Sequence, residues 1–170
     1  MKVILFMAQT VNGVIARTDF SEDFLSDENW GVFVRLAEEA GCFIVGRRTY
    51  EEVKKWVDYD FDGVKAKRIV VSSNPSFRVS RGYEIASSPK EALKKAKRFG
   101  VNRVILAGGG AINSAFMKDK LVDEIILNIE PVVLGSGISI FHGGEFESKL
   151  NLIHTRKLKS GILQLHYAVI

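Results

Sequence analysis

Cysteine, proline and histidine are scarce in this 170-residue chain, with one, three and three copies respectively. A single thiol, Cys42, excludes an intrachain disulfide. Its place in the apolar run CFIV, residues 42–45, suits a small buried hydrophobe. His142, His154 and His166 stand apart from one another and from that thiol, so no Cys/His ligand spacing exists and no metal centre is expected. Long hydrophobic runs are also missing. The N-terminal run VILFMA, residues 3–8, falls far short of the roughly 20 apolar residues that cross a bilayer. It is too short for a signal sequence as well, and suits the first strand of a cytoplasmic protein. Charge of one sign is nowhere concentrated: 24 Lys and Arg against 20 Asp and Glu leave a net charge of +4. The densest basic run, KEALKKAKR at 90–98, sets its cations opposite an apolar face of Ala92, Leu93, Ala96 and Phe99. That pattern is a solvated helix, so neither a nucleic acid nor a membrane is an expected partner.

What is present is an ordinary globular composition, 46% hydrophobic and 26% charged. The length suits one domain, 1–170, with no room for separate cofactor and substrate domains. Strand-like and helix-like segments alternate. Apolar runs at 3–8, 42–45, 68–72 and 104–107 have the continuous character of strands buried on both faces. Between them lie three helix patterns. Ser26 precedes Asp27 and Glu28 and then Trp30, Phe33, Leu36, Ala37 and Ala40 at helical spacing, closed by Gly41. RRTYEEVKKW forms a second, short helix. Ser88, Pro89 and Glu91 give a full start signal for a third. The stretch 10–25 has no period and is long for a loop, which marks it as functional. Residues 57–67 form a polar loop. EIILNIEPVVL is a strand interrupted by Pro131, and the tail forms a hairpin around Ser160–Gly161, with Leu163, Leu165, Tyr167 and Val169 on one buried face. The predicted architecture is α/β: a mostly parallel twisted sheet with helices on both faces and antiparallel C-terminal strands.

In such sheets ligands bind beyond the carboxyl ends of the strands. Four clusters fall there. VILAGGGAI runs a strand through Gly108, Gly109 and Gly110 into a helix, a place where backbone can approach a phosphate. IVGRRTYEE places Arg47, Arg48 and Thr49 at a helix start, with free N–H groups and cations together. VVSSNP ends a strand at Ser72 and Ser73. AQTVNGVIA, with Asp27 and Glu28 beside it, offers a carboxylate for an amidine-like edge, which presents two parallel N–H donors. Gly-x-Ser-x-Gly and the zinc deaminase signature are both absent.

Taken in order, AxxxxGxIA, GRRTYE, VVSS, the AGGG turn and VDEIILNIEPVVLGSGISIF resemble the dihydrofolate reductase superfamily over nearly the whole chain. The likeness is to short thermophile-type dihydrofolate reductases and to the reductase domain of riboflavin-pathway enzymes. The resemblance implies NADPH as cofactor and hydride transfer to a C=N bond. It places Ala8 and Ile15 beside the nicotinamide and Gly46, Arg47, Arg48 and Thr49 at the phosphates. Ser72 and Ser73 fall toward the adenosine 2′-phosphate, and Ala107, Gly108, Gly109, Gly110, Ala111 and Ile112 at the pyrophosphate turn. Glu28 or Asp27 would hold the amino-pyrimidine edge of the substrate, with Asn29 as a neighbouring equivalent, and Asn128 would support that carboxylate. The chain lacks both a proline- and arginine-containing segment after the GRRT helix and an Asp-x-Pro-x-Leu motif there. The substrate is expected to be a pterin, with dihydrofolate preferred. The alternatives are a ribosylamino-pyrimidine 5′-phosphate of riboflavin synthesis and a non-catalytic NADPH-binding module. The apolar C-terminal strands imply a homodimer.

Overall fold

The computed structural model describes all 170 residues as one α/β unit. Eight strands form the central sheet. In chain order the elements are β1 (Lys2–Thr10), β2 (Val14–Ala16), α1 (Asp27–Ala40), β3 (Cys42–Gly46), α2 (Arg47–Val53), β4 (Lys67–Val71), β5 (Tyr83–Ala86), α3 (Pro89–Arg98), β6 (Arg103–Leu106), α4 (Gly110–Lys118), β7 (Glu124–Glu130), β8 (Ile138–Ser139), β9 (Leu150–Lys157) and β10 (Leu163–Val169). The sheet order is β5-β4-β3-β6-β1-β7-β10-β9, parallel from β5 to β7 and antiparallel for β10 and β9. This is the predicted architecture.

Each sheet face has its own core. Ala92 and Ala96 of α3 and Ile112, Phe116 and Met117 of α4 pack on one face with Leu5, Ile44 and Leu106. Val32, Phe33, Ala37 and Ala40 of α1, with Tyr50 and Val53 of α2, cover the other against Phe6, Phe43 and Ile105. Strands sandwiched in this way have no solvent face, which is why β3 and β6 read as unbroken apolar runs. Cys42 lies fully buried in β3, and burial pushes its thiol up to about 12, in keeping with an inert core residue.

Local signals set the helix ends. Gly41 takes a left-handed φ of 77° and donates its N–H to the Ala37 and Glu38 carbonyls, a conformation that costs a side chain energy and glycine none. Ser88 accepts the Glu91 N–H at 3.3 Å, while the Glu91 carboxylate reaches back to the Ser87 N–H and hydroxyl.

Four expectations need correction. The stretch 10–25 contains β2, which pairs with β8 in a separate two-stranded ladder. The loop 57–67 is not simply polar: it folds a 3-10 turn at Phe61–Gly63 and buries Phe61 and Val64. The segment EIILNIEPVVL is a strand only over Glu124–Glu130, which lies between β1 and β10, and it does not resume beyond. Pro131, which cannot donate to a ladder, follows the end of β7. The predicted buried face of β10 is only half covered, and Leu163 is exposed. No helix is long and apolar enough to cross a membrane.

Candidate active site

The carboxyl ends of β1, β3, β4 and β6 open into one cleft of about 1190 Å³. Of the fourteen residues expected at a cofactor, thirteen line it: Ala8, Ile15, Gly46, Arg47, Arg48, Thr49, Ser72, Ser73, Ala107, Gly109, Gly110, Ala111 and Ile112. Gly108 does not. It faces away, with a φ of 82°, and a Cβ there would meet the Met7 sulfur at 2.7 Å. Its carbonyl accepts the Gly46 N–H at 2.7 Å, tying the two strand ends together. Gly110 is likewise required by packing, because an added Cβ would lie 2.4 Å from the Ser139 carbonyl oxygen. Only Gly109 keeps the simple form of the expectation: it lines the cleft at the α4 N-terminus beside the Thr49 hydroxyl.

This end of the cleft is fit for phosphate. Arg47 and Arg48 project from the first turn of α2, and Arg48 forms no ion pair but stacks over the Phe20 ring at 4.9 Å. Arg47 is only loosely tied to Glu51, at 3.6 Å. Ser72, Ser73, Asn74 and Ser87 continue the lining.

At the other end the departure from expectation is Glu28. Glu28 does not reach the cleft. Its carboxylate accepts the Ser160 N–H and hydroxyl at 2.9 and 2.6 Å, pinning the start of α1 to the β9–β10 turn. These bonds hold it below the usual carboxylate range. Asn128 is fully buried and lies behind the cleft wall rather than in it. Asp27 does line the cleft, exposed, and accepts the Tyr59 hydroxyl proton, which raises the Tyr59 pKa.

The residue facing the cleft from the interior of α1 is Asn29, 5% exposed. Behind it stands Glu130, 4% exposed and paired with no cation. One Glu130 oxygen accepts the Ser26 N–H at 2.8 Å, the Ser26 hydroxyl at 2.6 Å and Asn29 Nδ2 at 2.5 Å. Ser26 therefore spends its hydroxyl on Glu130 rather than on capping α1. Asn29 Oδ1 accepts Asn128 Nδ2 at 2.8 Å, and Asn128 Oδ1 accepts Gln164 Nε2 at 2.7 Å. An ionised carboxylate only accepts, so it draws the Asn29 amide nitrogen to itself. The Asn29 oxygen must then face Asn128, and the Asn128 oxygen must face Gln164. A single buried charge thus fixes three amides. Both Asn29 N–H groups are used, one on Glu130 and one on the Ser26 carbonyl. What Asn29 has left is a carbonyl lone pair.

Aromatic rings form the adjacent wall. Trp30 lies 5.2 Å from Tyr59, 5.8 Å from Phe61 and 6.5 Å from Trp56, centroid to centroid. Glu22, from the loop before α1, also lines the cleft, half-buried and with no side-chain hydrogen-bond or ion-pair partner, and burial pushes its pKa up to about 7. Glu22, Trp56, Tyr59 and Glu130 carried no local sequence signal. Their role arises from long-range packing. Only Asn29, one step from the acids singled out, was within reach of pattern reasoning.

Comparison with known proteins bears on the family and the fold. Residues 1–164 match the RibD C-terminal domain family. The chain is 31% identical over 169 residues to the uncharacterized protein YwjB of Bacillus subtilis (strain 168), covering 98% of this chain and 97% of that protein. A riboflavin biosynthesis protein of Shewanella sp. PV-4 superposes with a TM-score of 0.83 at 23% identity, over 100% of this chain and 99% of that one. The Thermotoga maritima diaminohydroxyphosphoribosylaminopyrimidine deaminase/5-amino-6-(5-phosphoribosylamino)uracil reductase superposes with a TM-score of 0.75 at 15% identity, over 99% of this chain and 56% of that longer one. Likeness at these identities shows the shared fold, and the family match extends over nearly all of the chain. The chain belongs to the RibD C-terminal domain family, within the dihydrofolate reductase-like superfamily.

Proposed function

We propose that this protein is a cytoplasmic NADPH-dependent pyrimidine reductase of the riboflavin-pathway type, transferring hydride to a C=N bond of an aminopyrimidine. The observation that carries this is the division of one cleft into a phosphate-suited end and an aromatic end with a fixed acceptor. The family match and the riboflavin-type neighbours favour a pyrimidine over dihydrofolate. Lys55, a cation of the cleft lining next to Trp56, is held by Glu52 at 2.8 Å, which leaves it less available to a glutamate tail.

NADPH, when bound, supplies the hydride. The chain supplies orientation and charge. Arg47, Arg48 and Thr49 with the α4 N-terminus would hold the phosphates, and Ser72 and Ser73 the adenosine end. Ala8 and Ile15 would flank the nicotinamide. Asn29 would accept an N–H of the substrate ring, its orientation set by Glu130. Trp30 and Tyr59 would confine the ring plane.

Steady-state NADPH oxidation with an aminopyrimidinone and with dihydrofolate tests this. Turnover of the first and little of the second is expected. Asn29→Ala should lower kcat/KM for the pyrimidine about 10- to 100-fold, the size of one lost buried hydrogen bond, with NADPH affinity unchanged. Glu28→Gln should leave kcat/KM within about twofold, since surface ion and hydrogen-bond contacts are worth little. Turnover of dihydrofolate alone would overturn the assignment.

A further inference from the structure

Reduction of a C=N bond needs a proton as well as a hydride, and few acids of the cleft can keep one. Asp23 is bound by Arg17 Nε at 2.6 Å. Both Glu52 oxygens accept from Lys55 Nζ. Asp27 accepts the Tyr59 hydroxyl, so that phenol's proton is already engaged. Asp58 is exposed to solvent. A cation, a donor or water favours the charged form of each. Glu22 differs. It lines the cleft half-buried, and nothing but burial acts on its carboxyl. Two cations touch its loop and neither takes it: Arg17 is spent on Asp23, and Arg48 stacks over the Phe20 ring. The remaining arginine of the cleft, Arg47, leans on Glu51. The backbone fixes where Glu22 stands. Arg17 N–H donates to the Ser21 carbonyl at 2.8 Å, folding the loop back onto the end of β2, whose Ile15 lines the cleft. Leu25 N–H donates to the Glu22 carbonyl at 3.0 Å, a turn that keeps the two residues within about 7 Å. Ser26 comes next, and its carbonyl accepts the Asn29 N–H at 3.0 Å. Glu22 is thus held between the strand that carries Ile15 and the helix start that carries Asn29.

We infer that the Glu22 carboxyl is the proton donor of the reduction. Hydride adds to the carbon of the C=N bond, the π electron pair moves to the nitrogen, and the nitrogen takes the proton from the Glu22 O–H. The carboxylate left behind regains a proton from water before the next turnover. Burial pushes this group up to about 7, so about half of the molecules hold the proton at neutral pH. A general acid works best there, both loaded and able to let go, and a buried acid shifted in this way inside a cleft marks a functional group. The one imidazole of the cleft, His142, is placed elsewhere. Its backbone N–H donates to the Gly110 carbonyl at 3.2 Å, which sets it at the glycine-turn end. The role of Glu22 rests on the reductase reading.

The test measures kcat/KM for the C=N substrate from pH 5 to pH 9 in the parent chain, in Glu22→Gln and in His142→Gln. The donor must be protonated, so the parent should lose kcat/KM as pH rises above about 7, approaching tenfold per pH unit. Glu22→Gln should lie about 10²- to 10⁴-fold below the parent at pH 6, with that decline gone and with NADPH affinity, read by nicotinamide fluorescence, equal to the parent's. His142→Gln should keep the decline. Apart from turnover, carbon-13 NMR of glutamate-labelled protein should show one carboxyl titrating at about 7 that is missing from Glu22→Gln. A Glu22 carboxyl that titrates near the ordinary 4.5 would overturn the inference. So would parental activity in Glu22→Gln at pH 6, a decline that survives in that variant, or one that vanishes in His142→Gln. A parent chain that turns over neither an aminopyrimidinone nor dihydrofolate at any pH would instead remove the reductase reading, and the proton-donor role with it.

Discussion

Glu130 shows how much one buried charge can determine. Without a cation it is held by three donors, two of them on Ser26 at the start of α1, where the helix dipole also favours a negative charge. Its effect is orientation, passed through Asn29 to Asn128 and Gln164. Glu22 is the opposite case, a carboxylate with burial and no donor. Its pKa of about 7 in the folded state lies above the ordinary 4.5, so the folded chain binds the proton more tightly than the unfolded chain does. Linkage then makes stability fall as pH rises from about 4.5 to about 7, with the full penalty present above that window. Glu22→Gln should remove this slope. We expect urea denaturation to show the variant more stable than the parent at pH 8 by on the order of 1 kcal/mol, a figure discounted for the partial exposure of the site, and equal to it at pH 4. An unchanged difference between the two pH values would show that Glu22 is solvated.

At the scale of elements, the sheet strands and α1, α2 and α3 were legible because each carries a local signal: an apolar run, a cap, a stop glycine. The β2–β8 ladder was not. Its strands have three and two residues, too few for any period to register, and they meet across more than a hundred residues of chain. The choice among Asp27, Glu28 and Asn29 stayed open for a related reason. One residue along a helix turns the side chain by about 100°, so a one-step uncertainty decides between the cleft and the β9–β10 turn. The three glycines were read as a place where backbone can approach a phosphate, whereas two of them answer to neighbouring protein atoms. This leads to a prediction at element scale. A methyl group on Gly110 would lie 2.4 Å from the Ser139 oxygen and 3.2 Å from the His142 Cβ, so α4 and β8 must separate. Gly110→Ala should destabilise the fold by about 1–3 kcal/mol, the usual cost of overpacking, and weaken NADPH binding. Gly135→Ala, where nothing lies within 4 Å, is the control and should stay within about 0.5 kcal/mol of the parent. Thermal unfolding of the two variants side by side makes the comparison.

For the whole molecule, the layered α/β order and the clef's position at the carboxyl edge follow from topology that the β-α alternation already implied. The sheet, however, ends unequally. At one edge β5 is only four residues long, a short edge that offers little to pair with. At the other, β9 runs for eight residues, all exposed, including Leu150, Leu152 and Ile153 at 39, 58 and 51%. We propose that two copies pair through this face, rather than through the EIILNIE strand, which the sheet interior occupies. What supports it is that the first half of this edge exposes Leu150, Leu152 and Ile153 with no charged side chain among them, a template for another strand, while the charges that protect natural edges, Arg156 and Lys157, come only at its end. Sedimentation velocity should show a concentration-dependent dimer for the parent chain. The double variant Leu152→Lys, Ile153→Lys places like charges opposite one another in such a pair and should weaken association at least tenfold, while both residues' exposure leaves monomer stability nearly unchanged. A parent chain that sediments only as monomer at tens of micromolar would remove the dimer. A variant that dimerises as well as the parent would place the contact elsewhere on the surface.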